Sequence, residues 1–193
     1  LNKMELIGGI VCGAFLFLGY AFQNFGLMIT TATKSAFITS ISVLLVPILL
    51  VSLNLQKVQM HIWIAVLMAT AGLYLLILPG GGLNIGDIIT FGCSISFAIH
   101  IITQDYYIKK EVRLLPFINV QLAFVTIISL ISAFFYEPDP IIWSERLMGA
   151  IIITGVLATF TAFLIMIWAQ KILNPSETAI IFSLEPLAAS LFA

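Results

Sequence analysis

Charge is what this 193-residue chain has least of. Lys and Arg number 8, Asp and Glu 9, together 9% of the residues, where a soluble domain carries roughly a quarter. That scarcity excludes an ordinary soluble fold. Eight basic residues and a net charge of −1 also exclude a phosphate-tracking surface, so nucleic acid is not an expected partner. Cysteine is equally sparse. Cys12 and Cys93 stand alone in apolar runs, which suits packing and predicts neither a disulfide nor a metal site. The two histidines, His61 and His100, supply haem ligation poorly. There is no HExxH, no Walker A motif and no pair of intramembrane aspartates. Gly92-Cys93-Ser94 matches the G-x-S of a serine nucleophile. Its one candidate base, His100, lies six residues on along the same helix, about 240° around it and out of reach. The last apolar run has no lysine for a Schiff base, which argues against a retinal protein. No cofactor and no enzymatic activity are expected. A secretory signal is also missing, because the first apolar run is too long and has no cleavage pattern.

Apolar residues fill the space left by charge, at 61% of the chain with a mean hydropathy of +1.15. About 20 apolar residues suffice to cross a bilayer. Seven candidate spans follow one another at about Glu5–Ile29, Ala32–Leu53, His61–Leu78, Asp87–Tyr107, Leu114–Tyr136, Leu147–Ile172 and Glu177–Ala193. All are predicted as helices, since a lone strand leaves backbone groups unpaired in lipid and no barrel-like alternation is present. The chain breaks off within an apolar run and reads as a piece of a longer protein. Lys3, Lys57, Lys109, Lys110, Arg113 and Lys171 fall on the side where the first span begins, and Lys34 and Arg146 on the other. This bias predicts a multi-pass protein of the plasma or inner membrane with the N-terminal end cytoplasmic. Trp63, Trp143, Tyr106, Tyr107 and Tyr136 lie near span ends, as interfacial aromatics do.

The stretch from Thr30 to Pro47 carries Thr31, Ser35, Thr39 and Ser42 at helical spacing within an apolar run. Such a stripe points toward protein or a watery path. The pattern returns between Asn174 and Pro186 at a displacement of 143 residues: Ala36, Ile38 and Ser40 meet Ala179, Ile181 and Ser183, while Thr33 and Ser35 meet Ser176 and Thr178. Span one thereby matches span six and span two matches span seven. Five is odd, so the second copy crosses the membrane in the opposite sense, the inverted repeat of many secondary transporters.

GLMITTATKSAFITSISVLLVP, NPSETAIIFSLEP and ATAGLYLLILPGG together resemble the drug/metabolite transporter superfamily, specifically its EamA-type repeat. The resemblance implies an all-α integral membrane bundle of two inverted five-helix repeats, with this chain covering about spans three to nine of ten. Residues 1–82 would hold the last three spans of the first repeat and 83–193 the first four of the second. It further implies a central cavity and export or exchange of small metabolites such as amino acids or drugs. One departure is chemical. The second copy has Leu184-Glu185-Pro186 where the first has Ile41-Ser42-Val43, so the two halves are not equivalent.

Glu185 lies eight residues into its span, where an acid is costly; it reads either as a cavity carboxylate or as a packing group beside Pro186. Lys34 reads as an attractor for a carboxylate at the cavity mouth, helped by the start of span two, or as a snorkelling side chain. Ser35, Thr39 and Ser183 line a cavity or pack helices closely. His100, with Ser96, Thr103, Gln104 and Tyr107 on one face, suits substrate binding, proton relay or a hydrogen-bonded helix contact. Tyr20, Gln23 and Asn24 on span one, with Asn119 and Gln121 on span five, add further cavity candidates. Trp168 stacks on a substrate or packs at the interface. The reading is a secondary transporter of small metabolites working by alternating access, with the bilayer and a small-molecule substrate as partners and a homodimer left open. The alternative is a non-transporting sensor or assembly partner of the same fold.

Overall fold

A computed structural model of the chain describes residues 1–77, 83–136, 143–182 and 184, and every regular element among them is helical. The elements are α1 (Lys3–Leu27), α2 (Ala32–Ser40), α3 (Ser42–Ser52), α4 (Met60–Ile77), α5 (Ile85–Ile108), α6 (Leu114–Tyr136), α7 (Glu145–Ile152), a π-helical segment (Ile153–Thr161), α8 (Ala162–Ala169) and α9 (Pro175–Phe182). Small polar residues start several of them. Thr31, Asn84, Ser144 and Asn174 each accept a hydrogen bond from the backbone N–H three residues on, which satisfies a first-turn donor that has no partner inside the helix.

Among the described residues, five stretches are long and apolar enough to cross a membrane: Lys3–Leu27, Ala32–Ser52, Ile85–Ile108, Leu114–Tyr136 and Glu145–Ala169. The third and seventh expected spans run into residues outside the described set. Two spans expected as single helices are interrupted. At Ile41 the N–H reaches back three residues to the Ile38 carbonyl at 3.0 Å, which tightens the turn and separates α2 from α3. Pro47 inside α3 has no N–H to return to Val43. In the sixth span the hydroxyls of Thr159 and Thr161 reach carbonyls five residues back, at 2.7 and 2.8 Å, and the turns between Ile153 and Thr161 widen accordingly.

α1 lies along α5 and α6. Glycines make the approach close: a Cβ at Gly9 would stand 2.6 Å from the Val120 Cβ, and one at Gly26 would meet the Thr90 hydroxyl. Ion pairs fasten both ends of the assembly. At one end Glu5 takes two hydrogen bonds from the Arg113 guanidinium, at 2.7 and 2.9 Å, and these hold Arg113 above its ordinary range. At the other, Asp87 accepts from the Thr30 hydroxyl and pairs with Lys34 at 3.3 Å. Two apolar clusters fill the interior, one around Val43, Val46, Val66 and Ala179, the other around Cys12, Phe117 and Ile167.

Turn hydrogen bonds recur at the displacement of 143 residues. Ile29 N–H to Gly26 O and Ile172 N–H to Ala169 O are both 2.9 Å; Ile41 N–H to Ile38 O and Leu184 N–H to Ile181 O are 3.0 and 3.1 Å. The first turn lies beside Asp87, whereas Asn174 borders Gln56, Lys57 and His61 beyond the far end of α3. The two matching turns therefore occupy opposite ends of the bundle.

Candidate functional cavity

Among the described residues, six helices and the π segment border a cavity of about 600 Å³. It sits at mid-depth, because His100 lies about 22 Å along an α5 rod of about 36 Å. Tyr20 and Gln23 reach it from α1, and Thr39, Ser40 and Ser42 from either side of the break at Ile41. α5 contributes Phe97, His100 and Ile101, and the opposite wall is Ala158, Ala162, Phe163 and Met166, closed by Ile181, Phe182 and Leu184. The lining is aromatic and aliphatic with a few polar groups, the usual make-up of a small-molecule site. None of the described lining residues is an acid, a lysine or an arginine.

The polar groups are held in place. His100 Nε2 lies 3.1 Å from Gln121 Oε1, and the imidazole meets Phe163 edge-on at 5.8 Å. Tyr20 packs edge-on against Phe97 at 5.9 Å. The Thr39 hydroxyl lies 3.7 Å from Cys93 Sγ. One turn below His100, Gln104 donates to Gln170 at 2.7 Å, and Gln170 donates to the Ile101 carbonyl at 3.3 Å. The Nε2 of Gln121 and the Oε1 of Gln104 are buried with no partner among the described residues, which leaves donor and acceptor capacity in the polar column beside the cavity.

The expected site residues separate on this geometry. Tyr20, Thr39 and His100 line the cavity together. Ser35 is buried in α2 with its hydroxyl unpartnered, and Ser96 is buried with its hydroxyl on the Gly92 carbonyl at 2.8 Å; neither is in the lining. Lys34 pairs with Asp87 instead of facing the cavity. Asn24 is exposed, and Trp168 is 59% exposed on the outer surface of α8. Ser183 and Glu185 lie outside the described residues. Sequence reasoning missed Phe97, Phe163 and Gln170. An aromatic in an apolar run gives no signal of its own, and Gln170 beside Lys171 reads as part of a span end.

Known proteins fit this architecture. Residues 84–193, more than half the chain, match the model of the EamA-like transporter family. The chain is 34% identical over 197 residues to an uncharacterized transporter of Archaeoglobus fulgidus, an alignment covering 100% of this chain and 62% of that protein. It thus spans less than two thirds of that relative's length. A protein of known crystal structure superposes with a TM-score of 0.78 at 14% identity, covering 100% of this chain and 79% of the other, which speaks for the fold alone. With the helical architecture, the membrane-length spans and the match over residues 84–193, the chain belongs to the EamA-like transporter family.

Proposed function

We propose that this chain forms the substrate-binding core of a secondary transporter that exports or exchanges small, weakly polar metabolites by alternating access. The observation that carries the reading is the cavity itself. It lies midway along α5, and both the break after Ser40 and the matching turn bond from the Leu184 N–H to the Ile181 carbonyl border it. Broken helices at a midplane site are how transporters of repeat architecture bind substrate. In this reading residues 1–82 and 83–193 belong to two inverted repeats, and the turns repeated at opposite ends of the bundle support that division. The aromatic walls bind the apolar body of the substrate while His100, Tyr20, Gln23 and Thr39 orient its polar groups. Ser183 and Glu185 continue the second copy of the motif in the sequence and are proposed as further substrate contacts. The surplus of Lys and Arg at the end bearing Lys3 and Lys57 supports placing that end in the cytoplasm. No chemistry is assigned to the site beyond binding and release.

The test is to express the full-length protein and a His100→Ala variant at equal membrane abundance and profile metabolites inside and outside the cells. A metabolite that accumulates outside only with the intact protein, and less with the variant, identifies substrate and direction. Unchanged profiles across both compartments in every medium tried argue for a non-transporting role.

A further inference from the structure

A second, smaller hollow of about 90 Å³ lies at the end of the bundle opposite Asp87, between the α3–α4 link and the start of α9. At about 30 Å³ per water it holds roughly three waters, or one tetrahedral oxyanion. Lys57 borders it from the link, His61 from the first turn of α4 and Ser176 from the first turn of α9. Ser176 is 1% exposed and its Oγ has no hydrogen-bond partner among the described residues. A buried hydroxyl with nothing to donate to is costly unless something visits it. The positive end of the α9 dipole opens at the same place.

The charges around the hollow favour an anion. Glu5 and Asp105 at this end are already paired with Arg113 and Lys109, each at 2.7 Å. Lys57 enters no ion pair among the described residues. The one carboxylate in the wall, Glu177, is held in the helix cap by the Asn174 N–H at 2.9 Å. Three kinds of donor border this small volume: the buried Ser176 hydroxyl and the exposed Lys57 ammonium and His61 imidazole. That set matches the several acceptor oxygens of a phosphate better than the two of a carboxylate. We infer that this hollow binds the phosphate group of a phospholipid headgroup or of a free phosphate compound. Basic pockets between spans bind lipid headgroups on the same physical grounds. None of these residues lines the central cavity, so the inference stands apart from the transport reading.

The test uses the full-length protein in neutral detergent at fixed ionic strength. Thermal unfolding is followed against inorganic phosphate, dioctanoyl phosphatidate and dioctanoylglycerol, which lacks phosphate. A saturable rise with either phosphate probe and none with dioctanoylglycerol is expected. A response to phosphatidate alone marks a lipid headgroup, and a response to both marks a general phosphate site. Lys57→Gln should weaken the half-saturating concentration by about ten-fold or more, the loss of one charged hydrogen bond. Ser176→Ala should weaken it too while leaving the unliganded protein as stable or more stable, since the hydroxyl removed has no partner. The inference fails if neither phosphate probe gives a saturable rise, if dioctanoylglycerol acts equally well, or if both variants respond like the parent.

Discussion

At Gly26 an added Cβ meets the Thr90 hydroxyl and lies 3.1 Å from the Gly86 carbonyl, whereas at Gly149 nothing lies within 4 Å. The same methyl group therefore has opposite effects. Gly26→Ala should lower stability by about 1–3 kcal/mol through overpacking. Gly149→Ala should raise it by roughly 0.5–1 kcal/mol, because the flexible residue is lost from a helix at no steric cost. Unfolding temperatures in detergent read both signs. A second contrast lies at the Asp87 cluster, where the side-chain exposures are 2% for Asp87 and 15% for Lys34. Asp87→Ala strips Thr30, Asn84 and Lys34 of their shared acceptor and should cost about 3–5 kcal/mol. Lys34→Ala should cost less, since Asp87 keeps the Thr30 hydroxyl and the Asn84 N–H. Equal losses would show that the ion pair, not the cap, holds this corner.

Among the elements, α1 and α2–α3 differ in kind although both read as apolar runs. α1 is continuous from Lys3 to Leu27 and held at both ends. The α2–α3 rod is broken at Ile41 and carries Pro47. Hydrogen exchange on the full-length protein in lipid should therefore find the amides of residues 41–46 exchanging faster than those of residues 9–16. Equal protection would mean that the break is rigid and not a hinge. The extents of these spans were legible in the apolar runs and their polar links. The breaks were not. Ile38, Ile41, Ile153 and Val156 are as apolar as their neighbours, and nothing in composition tells an i−3 or i−5 hydrogen bond from a regular one. The correspondence between the two turns was legible because polar positions, Ser35 and Thr178 among them, recur at the displacement of 143 residues, and the helix caps at Thr31 and Asn174 fall at the same displacement.

For the whole molecule, the polar cavity residues were the easier ones to find. Tyr20, Thr39 and His100 stood out against lipid-compatible surroundings, and the fold brings them to one hollow. Lys34 stood out for the same reason yet is engaged by Asp87, 53 residues away in the chain, a partnership that spacing along one helix cannot reveal. The aromatic half of the lining was hidden because phenylalanine is equally at home in lipid. The proposed transport requires a hollow that admits water midway along the bundle, and thiol labelling tests that most directly. In full-length protein with Cys12 and Cys93 replaced by alanine, single cysteines are placed at Thr39, Ser42 and Ala162 in the cavity wall. Leu130 and Ile131, exposed on the outer face of α6, serve as controls. Only the thiolate reacts and it forms only where water reaches, so an aqueous thiol reagent should modify the cavity positions at least about ten-fold faster than the controls. Cavity positions as inert as Leu130 and Ile131 would contradict the account.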